Sequence, residues 1–258
     1  MSKFDNKKEN LLELIKKEKI LLLNKLANDL NISYTTAKKY ISFLEDKKIV
    51  SLVNGVVVYN GENIQNNIYD YSVTSAEKVH TEEKERIGKK AASLITDNDS
   101  IILDTGSTCG FIARNISDNL KLTILCYTLT ALMHVCNKPD NTIIFAGGYF
   151  HENSKMFECP EAVTLINRNR ATKAFIAASG ISLDLGVTCE NNYELPTKRA
   201  VINSAQQKIL VADSSKFGRV RSTYFAEVSE FDIIITDDGI QDEYRDYFAA
   251  NNIPLIIC

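Results

Sequence analysis

The sequence has few of the features that mark fibrous, disordered or exported chains. Of its 258 residues only 11 are Gly and 4 are Pro, whereas 45% are hydrophobic and 24% are charged. This composition excludes collagen-like structure and extended disorder. No stretch approaches 18 uninterrupted apolar residues, and the first residues, MSKFD, contain no apolar signal core. We therefore expect neither export nor a membrane span, and we expect a cytoplasmic protein.

Paired cysteines are also lacking. None of the six cysteines occurs in a C-x-x-C arrangement: Cys109, Cys126, Cys136, Cys159, Cys189 and Cys258. This spacing argues against a zinc site and a disulfide framework, so we expect free thiols in a reducing compartment. We expect no bound metal and no cofactor.

Charge is distributed unevenly along the chain. Residues 1–60 contain 11 Lys, no Arg and 7 acidic residues, a balance of +4, whereas the remaining 198 residues hold 19 basic and 26 acidic residues, a balance of −7. A basic head joined to an acidic body indicates polyanion binding at one end and another partner at the other. The alternative is that the uneven charge is chance variation along a lysine-rich chain and marks no binding site.

The basic head has the apolar spacing of short helices. Helical spacing over residues 7–20 and roughly 22–30 predicts two amphipathic helices, and Ser33 is placed to cap a third over residues 34–48. Small Ala27 and Ala37 fit the close approach in a helix-turn-helix. Two short apolar runs around Asn54-Gly55 then predict a hairpin, which would complete a winged helix.

The third helix is the predicted reading helix, because a helix-turn-helix presents the N-terminal part of its second helix to the major groove. Hydroxyl and ammonium groups on this part can contact bases and phosphates. The predicted DNA-binding residues are Ser33, Tyr34, Thr35, Thr36, Lys38, Lys39 and, in the wing, Asn54. A three-helix bundle with a solvated lysine face is the alternative.

Beyond residue 80 the pattern changes to apolar strands alternating with helices. The strand-like runs are SIILD, LTILCY, NTIIFAGG, KAFIAAS, QKILVA, FDIIIT and IPLIIC. Such alternation predicts an α/β domain with a largely parallel sheet. The predicted organisation is therefore a winged helix-turn-helix domain over 1–60, a polar linker over 61–80 and an α/β domain over 81–258.

Polar groups follow several of these strands, where ligands of open α/β sheets bind. The loops in question are Asp104–Thr108, Gly147–Gly148, Ser179–Gly180, Asp213–Gly218 and Thr236–Asp238, and Lys198 and Arg199 lie on a helix of the same half. Each loop taken singly could be an ordinary turn. Together, an acid, a hydroxyl-rich helix start and a lysine favour a small phosphorylated polyol. Neither G-x-x-x-x-G-K nor G-x-G-x-x-G is present, so nucleotides fit less well.

The whole chain resembles the DeoR family of bacterial transcription regulators. The stretches that carry the resemblance, in the family's order, are LANDLNISYTTAKKYISFLE, EEKERIGKKAASLITDNDSIILDTGST, IIFAGG, KAFIAASGI, LGVT, TKRAVINSA, KILVADSSKFG and IIITDD. The resemblance implies a C-terminal domain with the fold of ribose-5-phosphate isomerase and glucosamine-6-phosphate deaminase, which senses phosphorylated sugars. The effector-binding residues that we predict are Lys84, Asp104, Gly106, Ser107, Thr108, Gly147, Gly148, Lys198, Asp213, Lys216 and Asp237.

Three positions depart from the family pattern. Cys126-Tyr127-Thr128 replaces Thr-Asn-Ser, so a phenol could fill part of the pocket or change the sugar selected. Lys38-Lys39-Tyr40 replaces Arg-Arg-Asp, which keeps charge but loses the bidentate fork of arginine. Asn54-Gly55-Val56 stands where the wing often reads His-Gly-Gly.

The leading hypothesis is a DNA-binding repressor of sugar catabolism genes, not an enzyme, released from double-stranded DNA by a sugar phosphate. We expect a homo-oligomer, a dimer or tetramer, and no membrane partner. The rival is a sugar-phosphate isomerase or deaminase with an accessory DNA-binding head, using Asp104, Glu190 or Asp237 for proton transfer. The scattered histidines, His80, His134 and His151, argue against that rival.

Overall fold

The computed structural model describes residues 11, 13–15, 18, 20–30, 32–46, 49–53, 56–59 and 72–258. The chain divides into two compact units, Met1–Asp70 and Tyr71–Cys258. The described part of the predicted linker, residues 72–80, lies in the second unit. There Val73–Glu77 is helical, and the Val73 amide donates to the Asn153 carbonyl at 2.7 Å.

The first unit combines two helices with a small sheet. Its elements are β1 (Ile20–Leu22), α1 (Leu23–Asp29), α2 (Tyr34–Asp46), β2 (Val50–Val53) and β3 (Val56–Tyr59). The strands pair antiparallel in the order β1-β3-β2. Ala27 and Ala37 are buried between the helices, and the Ser33 hydroxyl accepts from the Thr36 amide at 3.1 Å. The predicted helix-turn-helix, cap and hairpin are present, and Asn54 lies outside the described residues.

One boundary prediction in this unit is wrong. Ile20 was expected to end the first helix, but it begins β1 and pairs with Val58 of β3. The reason is the run Ile20–Leu22, which adds a third strand to the valine-rich hairpin. Most of the predicted helix over 7–20 falls outside the described residues, although Leu11 and Ile15 are buried in the core of this unit.

The second unit contains a seven-stranded sheet with helices on both faces. Its helices are α3 (Val73–Glu77), α4 (Thr81–Ala92), α5 (Ser107–Asn115), α6 (Leu129–Val135), α7 (Pro160–Arg168), α8 (Leu195–Ser204) and α9 (Asp242–Ala250). Its strands are β4 (Ser100–Leu103), β5 (Thr123–Cys126), β6 (Thr142–Phe145), β7 (Tyr149–His151), β8 (Met156–Glu158), β9 (Ala171–Ala177), β10 (Gly180–Ser182), β11 (Gly186–Cys189), β12 (Ala205–Val211), β13 (Thr223–Ala226), β14 (Ile233–Thr236) and β15 (Leu255–Ile257).

The main sheet has the strand order β15-β14-β12-β9-β4-β5-β6, and every neighbouring pair is parallel. These seven strands are the seven apolar runs identified in the sequence, so the predicted parallel α/β architecture is confirmed. Two smaller antiparallel sheets, β10-β11-β13 and β7-β8, are attached to it.

Alternate residues of the strands face opposite sides of the sheet, which gives the unit two cores. Ile102 and Ile176 pack with α7, α8 and α9, whereas Ile101 and Phe175 pack with α4, α5 and α6. Burial of both faces explains why the strands are continuously apolar.

The chain changes direction at the centre of this sheet. After β4 it crosses through α5 to β5, and after β9 it crosses through α8 to β12 on the opposite side. Loops that leave adjacent parallel strands in opposite directions open a crevice at their carboxyl ends, where open α/β sheets bind ligands. The functional site is therefore expected between the loops that follow β4 and β9.

Candidate functional site

A cleft lies at this switch point, with a volume of about 310 Å³ including its open mouth. It is formed by the loops after β4 and β9 and by the start of α8. Its lining residues are Thr105, Gly106, Ser107, Thr108, Ala177, Ala178, Ser179, Glu194 and Lys198.

The N-terminus of α5 forms one wall of the cleft. Gly106 occupies the cap position with a φ of 117°, and no side chain caps the helix there. The first amides of α5 thus lack a capping side chain, and the hydroxyls of Ser107 and Thr108 lie beside them. Amides, hydroxyls and the positive end of the helix dipole together favour an anion such as phosphate.

Asp104 lies directly beneath this wall and is fully buried. Its Oδ1 accepts the hydroxyl of Tyr127, and its Oδ2 accepts the Ala177 amide at 3.0 Å and the Lys198 Nζ at 2.5 Å. Both carboxylate oxygens are therefore engaged within the protein. Asp104 positions the Lys198 ammonium and does not itself line the cleft.

Tyr127 is a core residue and also stays outside the cleft lining. Burial, reinforced by the neighbouring Asp104 carboxylate, raises the pKa of its phenol well above the ordinary value. The phenol is therefore protonated and donates to Asp104. The departure from the family pattern at this position thus changes the support of the site, since its side chain does not project into the cleft.

Lys198 and Glu194 form the polar wall opposite α5. The Lys198 Nζ donates to Asp104 and to the Ala177 carbonyl at 2.9 Å, and it lies 4.0 Å from Glu194 Oε2. Burial alone would lower the pKa of this ammonium, but the carboxylates of Asp104 and Glu194 outweigh burial and hold the pKa above its ordinary value. Lys198 is therefore protonated, and its charge is paired with the Asp104 carboxylate.

Glu194 was not among the predicted site residues, although it lines the cleft. Burial raises the pKa of its carboxyl, and the positive charge of Lys198 and hydrogen bonds from Asn191 offset this only in part. A sequence signal was available, because Asn191 and Glu194 have the N-x-x-E spacing of a capping box, and the structure forms that box.

A second polar cluster surrounds the loop after β12. The buried Lys84 Nζ donates to the carbonyls of Ala76 and Val79, each at 2.6 Å, and lies 3.8 Å from Asp213 Oδ2. That oxygen receives no hydrogen bond, and Lys216 Nζ lies 3.9 Å away. Burial lowers the pKa of the Lys84 ammonium, and Asp213 offsets this only in part. The cluster ties the loop after β12 to α4 and the end of α3.

The remaining predicted residues also lie outside the cleft lining. Asp237 Oδ1 accepts the Ser214 amide at 2.6 Å and its Oδ2 accepts the Gly239 amide at 3.2 Å, which fixes the loop after β14. Gly148, just before β7, has a φ of 141° and a position for Cβ only 2.4 Å from the Glu158 carbonyl oxygen. Of the predicted effector residues, the structure brings Gly106, Ser107, Thr108 and Lys198 to the cleft, with Asp104 beneath them.

In the first unit, the start of α2 carries the predicted DNA-binding residues on its outer side. Ser33, Tyr34, Thr35, Lys38 and Lys39 are exposed, and Thr36 is half-buried. Ala37 and Ile41 of the same helix are buried. Hydroxyls and ammonium groups thus occupy one face and the apolar anchors the other, which suits contact with a polyanion.

Metal ligation and membrane insertion would each require a particular grouping of side chains. Within the described residues no group of three or more His, Cys, Asp or Glu side chains converges as metal ligands would. In the same part of the chain no helix is long and apolar enough to span a bilayer.

Comparison with known proteins gives consistent matches. A family model described as the DeoR C terminal sensor domain matches residues 79–238. The chain is 29% identical over 246 residues to the "Deoxyribose operon repressor" of Escherichia coli (strain K12), with 95% of each chain covered. It is 26% identical over 252 residues to the "HTH-type transcriptional regulator GolR" of Listeria innocua serovar 6a, with 97% of each covered.

Among solved structures, ribose 5-phosphate isomerase A from Methanocaldococcus jannaschii matches with a TM-score of 0.40 and 16% identity. The match covers 54% of this chain and 55% of that one.

Proposed function

The chain belongs to the DeoR family of transcription regulators, and from this premise we propose that it represses sugar-metabolism genes and leaves DNA when its second unit binds a phosphorylated sugar. In this scheme the first unit reads double-stranded DNA and the cleft between the loops after β4 and β9 holds the effector. The proposal places the protein in the cytoplasm.

One observation supports the effector proposal: the N-terminus of α5, which no side chain caps, lines the same cleft as Lys198. The helix N-terminus supplies positive potential, and the hydroxyls of Ser107 and Thr108 add donors. The Lys198 ammonium is ion-paired with Asp104 and Glu194, so it contributes a hydrogen-bond donor and no net positive charge. A phosphate group satisfies all of these at once. The polar wall formed by Glu194 suits the hydroxyl-bearing part of a sugar.

Release of DNA requires that the effector bind one state of the protein more tightly than the other. We propose that the protein acts as a homo-oligomer, because helix-turn-helix proteins generally read paired half-sites. A twofold assembly has one pair of reading helices and two effector sites. Effector binding that favours the assembly with the wrong half-site spacing would then lower affinity for the operator.

Binding without chemical conversion is part of this proposal. Each carboxylate considered for proton transfer is engaged within the protein: Asp104 with Tyr127 and Lys198, and Asp237 with backbone amides. Glu190 forms an ion pair with Arg221 at 3.2 Å. Glu194, in contrast, keeps one carboxylate oxygen at the cleft wall that receives no hydrogen bond from the described residues. We propose a sensor and not an isomerase because the relatives matched over nearly their whole length are named as transcription regulators.

The experiment is a thermal-shift screen of pentose and hexose phosphates on the full chain, followed by fluorescence anisotropy with its promoter DNA. A compound present at 100 times its Kd stabilises the protein by about 2.7 kcal/mol. The same compound is expected to dissociate the DNA complex. Thr108→Val removes one hydroxyl from the cleft and is expected to weaken the compound's binding about tenfold.

The matched control is Thr164→Val, whose hydroxyl lies on the outer side of α7 and bonds only the Pro160 carbonyl. Affinity in this variant is expected to equal that of the wild type. Absence of any stabilisation across the panel would overturn the sensing role. NMR detection of an isomerised or deaminated product would instead favour the enzyme alternative.

A further inference from the structure

Glu194 is held rigidly at the cleft wall. Its Oε1 accepts the Asn191 backbone amide at 3.2 Å and the Asn191 side-chain amide at 2.8 Å, and the residue is 4% exposed. These two bonds fix the orientation of the carboxylate. The other oxygen, Oε2, is therefore directed away from Asn191.

Oε2 has no hydrogen-bond donor among the described residues, although Lys198 Nζ lies 4.0 Å away. The ammonium has three N–H donors, and two of them bond Asp104 Oδ2 and the Ala177 carbonyl. The third donor of Lys198 has only a π contact, with the Phe225 ring whose centre lies 4.8 Å from Nζ. This donor and the Glu194 Oε2 acceptor therefore have no hydrogen-bond partner in the part of the chain that the structure describes, and both residues line the same cleft.

Two atoms 4.0 Å apart can both contact a single oxygen at hydrogen-bond distances of roughly 2.8 Å. A hydroxyl group fits this pair, because it can donate to Glu194 while it accepts from Lys198. An ammonium group cannot accept from Lys198, and a carboxylate cannot donate to Glu194, so neither can bond both partners. A methylene group would leave both partners buried and unsatisfied, which is costly.

We infer that Glu194 is a specificity-determining residue: with Lys198 it recognises one hydroxyl of the effector and so selects a polyol phosphate over a deoxygenated, amino or carboxylated analogue. This inference rests on the proposed function, since it concerns the same cleft. It assigns the two ends of the effector separately, with phosphate at the N-terminus of α5 and hydroxyl at Glu194.

Glu194→Gln tests the assignment with little change of shape. The glutamine oxygen can still accept from Asn191, which leaves its NH₂ group in the place of Oε2, so an acceptor becomes a donor beside Lys198. Isothermal titration is expected to show a roughly ten- to hundredfold loss of affinity for the tightest-binding sugar phosphate of the screen. Affinity for inorganic phosphate is expected to stay within about threefold.

Glu190→Gln is the matched control. It removes a carboxylate close in sequence that pairs with Arg221 and does not line the cleft. It is expected to leave both affinities unchanged. The melting temperature of each variant reports whether the fold is retained.

A ligand-side measurement makes the test independent of variant stability. Among monodeoxy analogues of the best sugar phosphate, one is expected to bind the wild-type chain ten- to hundredfold more weakly. That analogue and its parent are expected to bind Glu194→Gln almost equally, because the contact is already lost.

Each outcome has a distinct meaning. The assignment of Glu194 is overturned if Glu194→Gln loses affinity for sugar phosphate and inorganic phosphate equally, or loses affinity for neither. The proposed function stays intact in both cases. The same two conclusions follow if the wild-type chain binds every monodeoxy analogue as tightly as the parent. If no sugar phosphate binds the wild-type chain, the proposed function is overturned together with this inference.

Discussion

At the scale of single residues, the buried contact between Tyr127 and Asp104 organises the floor of the cleft. The phenol occupies one carboxylate oxygen and Lys198 with the Ala177 amide occupies the other. A buried carboxylate is stable only when its acceptors are satisfied. Tyr127 therefore contributes to the position of Lys198 through Asp104, without lining the cleft.

Tyr127→Phe is expected to lower the free energy of unfolding by about 1.5–3 kcal/mol, the range for a buried hydrogen bond to a charged group. The ring remains, so no cavity forms. Urea denaturation measures the change. Tyr224→Phe is the control, because the exposed Tyr224 hydroxyl bonds Glu227 at the surface and its loss is expected to change stability by under about 0.5 kcal/mol. Equal effects in the two variants would contradict this account.

The sequence identified many of the residues at the cleft but not how they interact. Carboxyl ends of parallel strands share one edge, so the order of strands and helices along the chain suffices to group Ser107, Thr108 and Lys198. The burial of Asp104 depends on Tyr127 and Lys198, which lie 23 and 94 residues away in sequence. Tertiary packing decides such pairings, and Glu194 was overlooked because its capping-box spacing indicates only a helix start.

At the scale of elements, the bend between β6 and β7 depends on one of two adjacent glycines. Gly148 has a positive φ, and a Cβ on it would lie 2.4 Å from the Glu158 carbonyl oxygen, whereas a Cβ on Gly147 would meet only the Phe145 ring at 3.9 Å. Close approach of the β7-β8 hairpin therefore requires glycine at 148 and tolerates alanine at 147. The sequence alone could not distinguish the two positions.

Gly148→Ala is expected to lower the free energy of unfolding by about 1–3 kcal/mol or more. An alanine there would be strained by the positive φ, and its Cβ would clash with the Glu158 backbone. Gly147→Ala is expected to change the free energy of unfolding by no more than about 1 kcal/mol. Thermal or urea unfolding of the two variants gives the comparison. A larger loss at 147 than at 148 would show that the bend is built differently.

Strands were predictable where apolar runs alternate with helices along the chain. The seven apolar runs form the parallel sheet, since continuous hydrophobic runs between helices have few other structural solutions. The strands β7, β8, β10, β11 and β13 were missed because they lie in the two small antiparallel sheets, outside the alternation of apolar runs with helices. The run Ile20–Leu22 follows directly on a helical pattern, so it could not be separated from the helix predicted before it.

At the scale of the whole molecule, the positive head is the part that should determine the salt dependence of DNA binding. Lys38 and Lys39 are exposed on the polar side of α2. Each phosphate contact contributes a slope of roughly 0.9 to the dependence of log affinity on log salt concentration. Lys38→Ala with Lys39→Ala is therefore expected to weaken DNA binding and reduce the slope by up to about 2.

Fluorescence anisotropy at several salt concentrations measures this slope. Lys89→Ala with Lys90→Ala removes the same charge from the exposed side of α4 in the second unit and serves as the control. Its slope is expected to match the wild type. If the two double variants behave alike, α2 does not carry the phosphate contacts.

The strand order also has a consequence for synthesis on the ribosome. The central pairing joins β4 to β9, with Ile101 opposite Lys173, whereas the strand pairings described in the first unit end at Tyr59. At a translation rate of roughly 5–20 residues per second, the last strand needed at the centre of the sheet emerges on the order of ten seconds later. Each nascent chain thus contains the described strands of its first unit well before the central strand pair of its second unit can form.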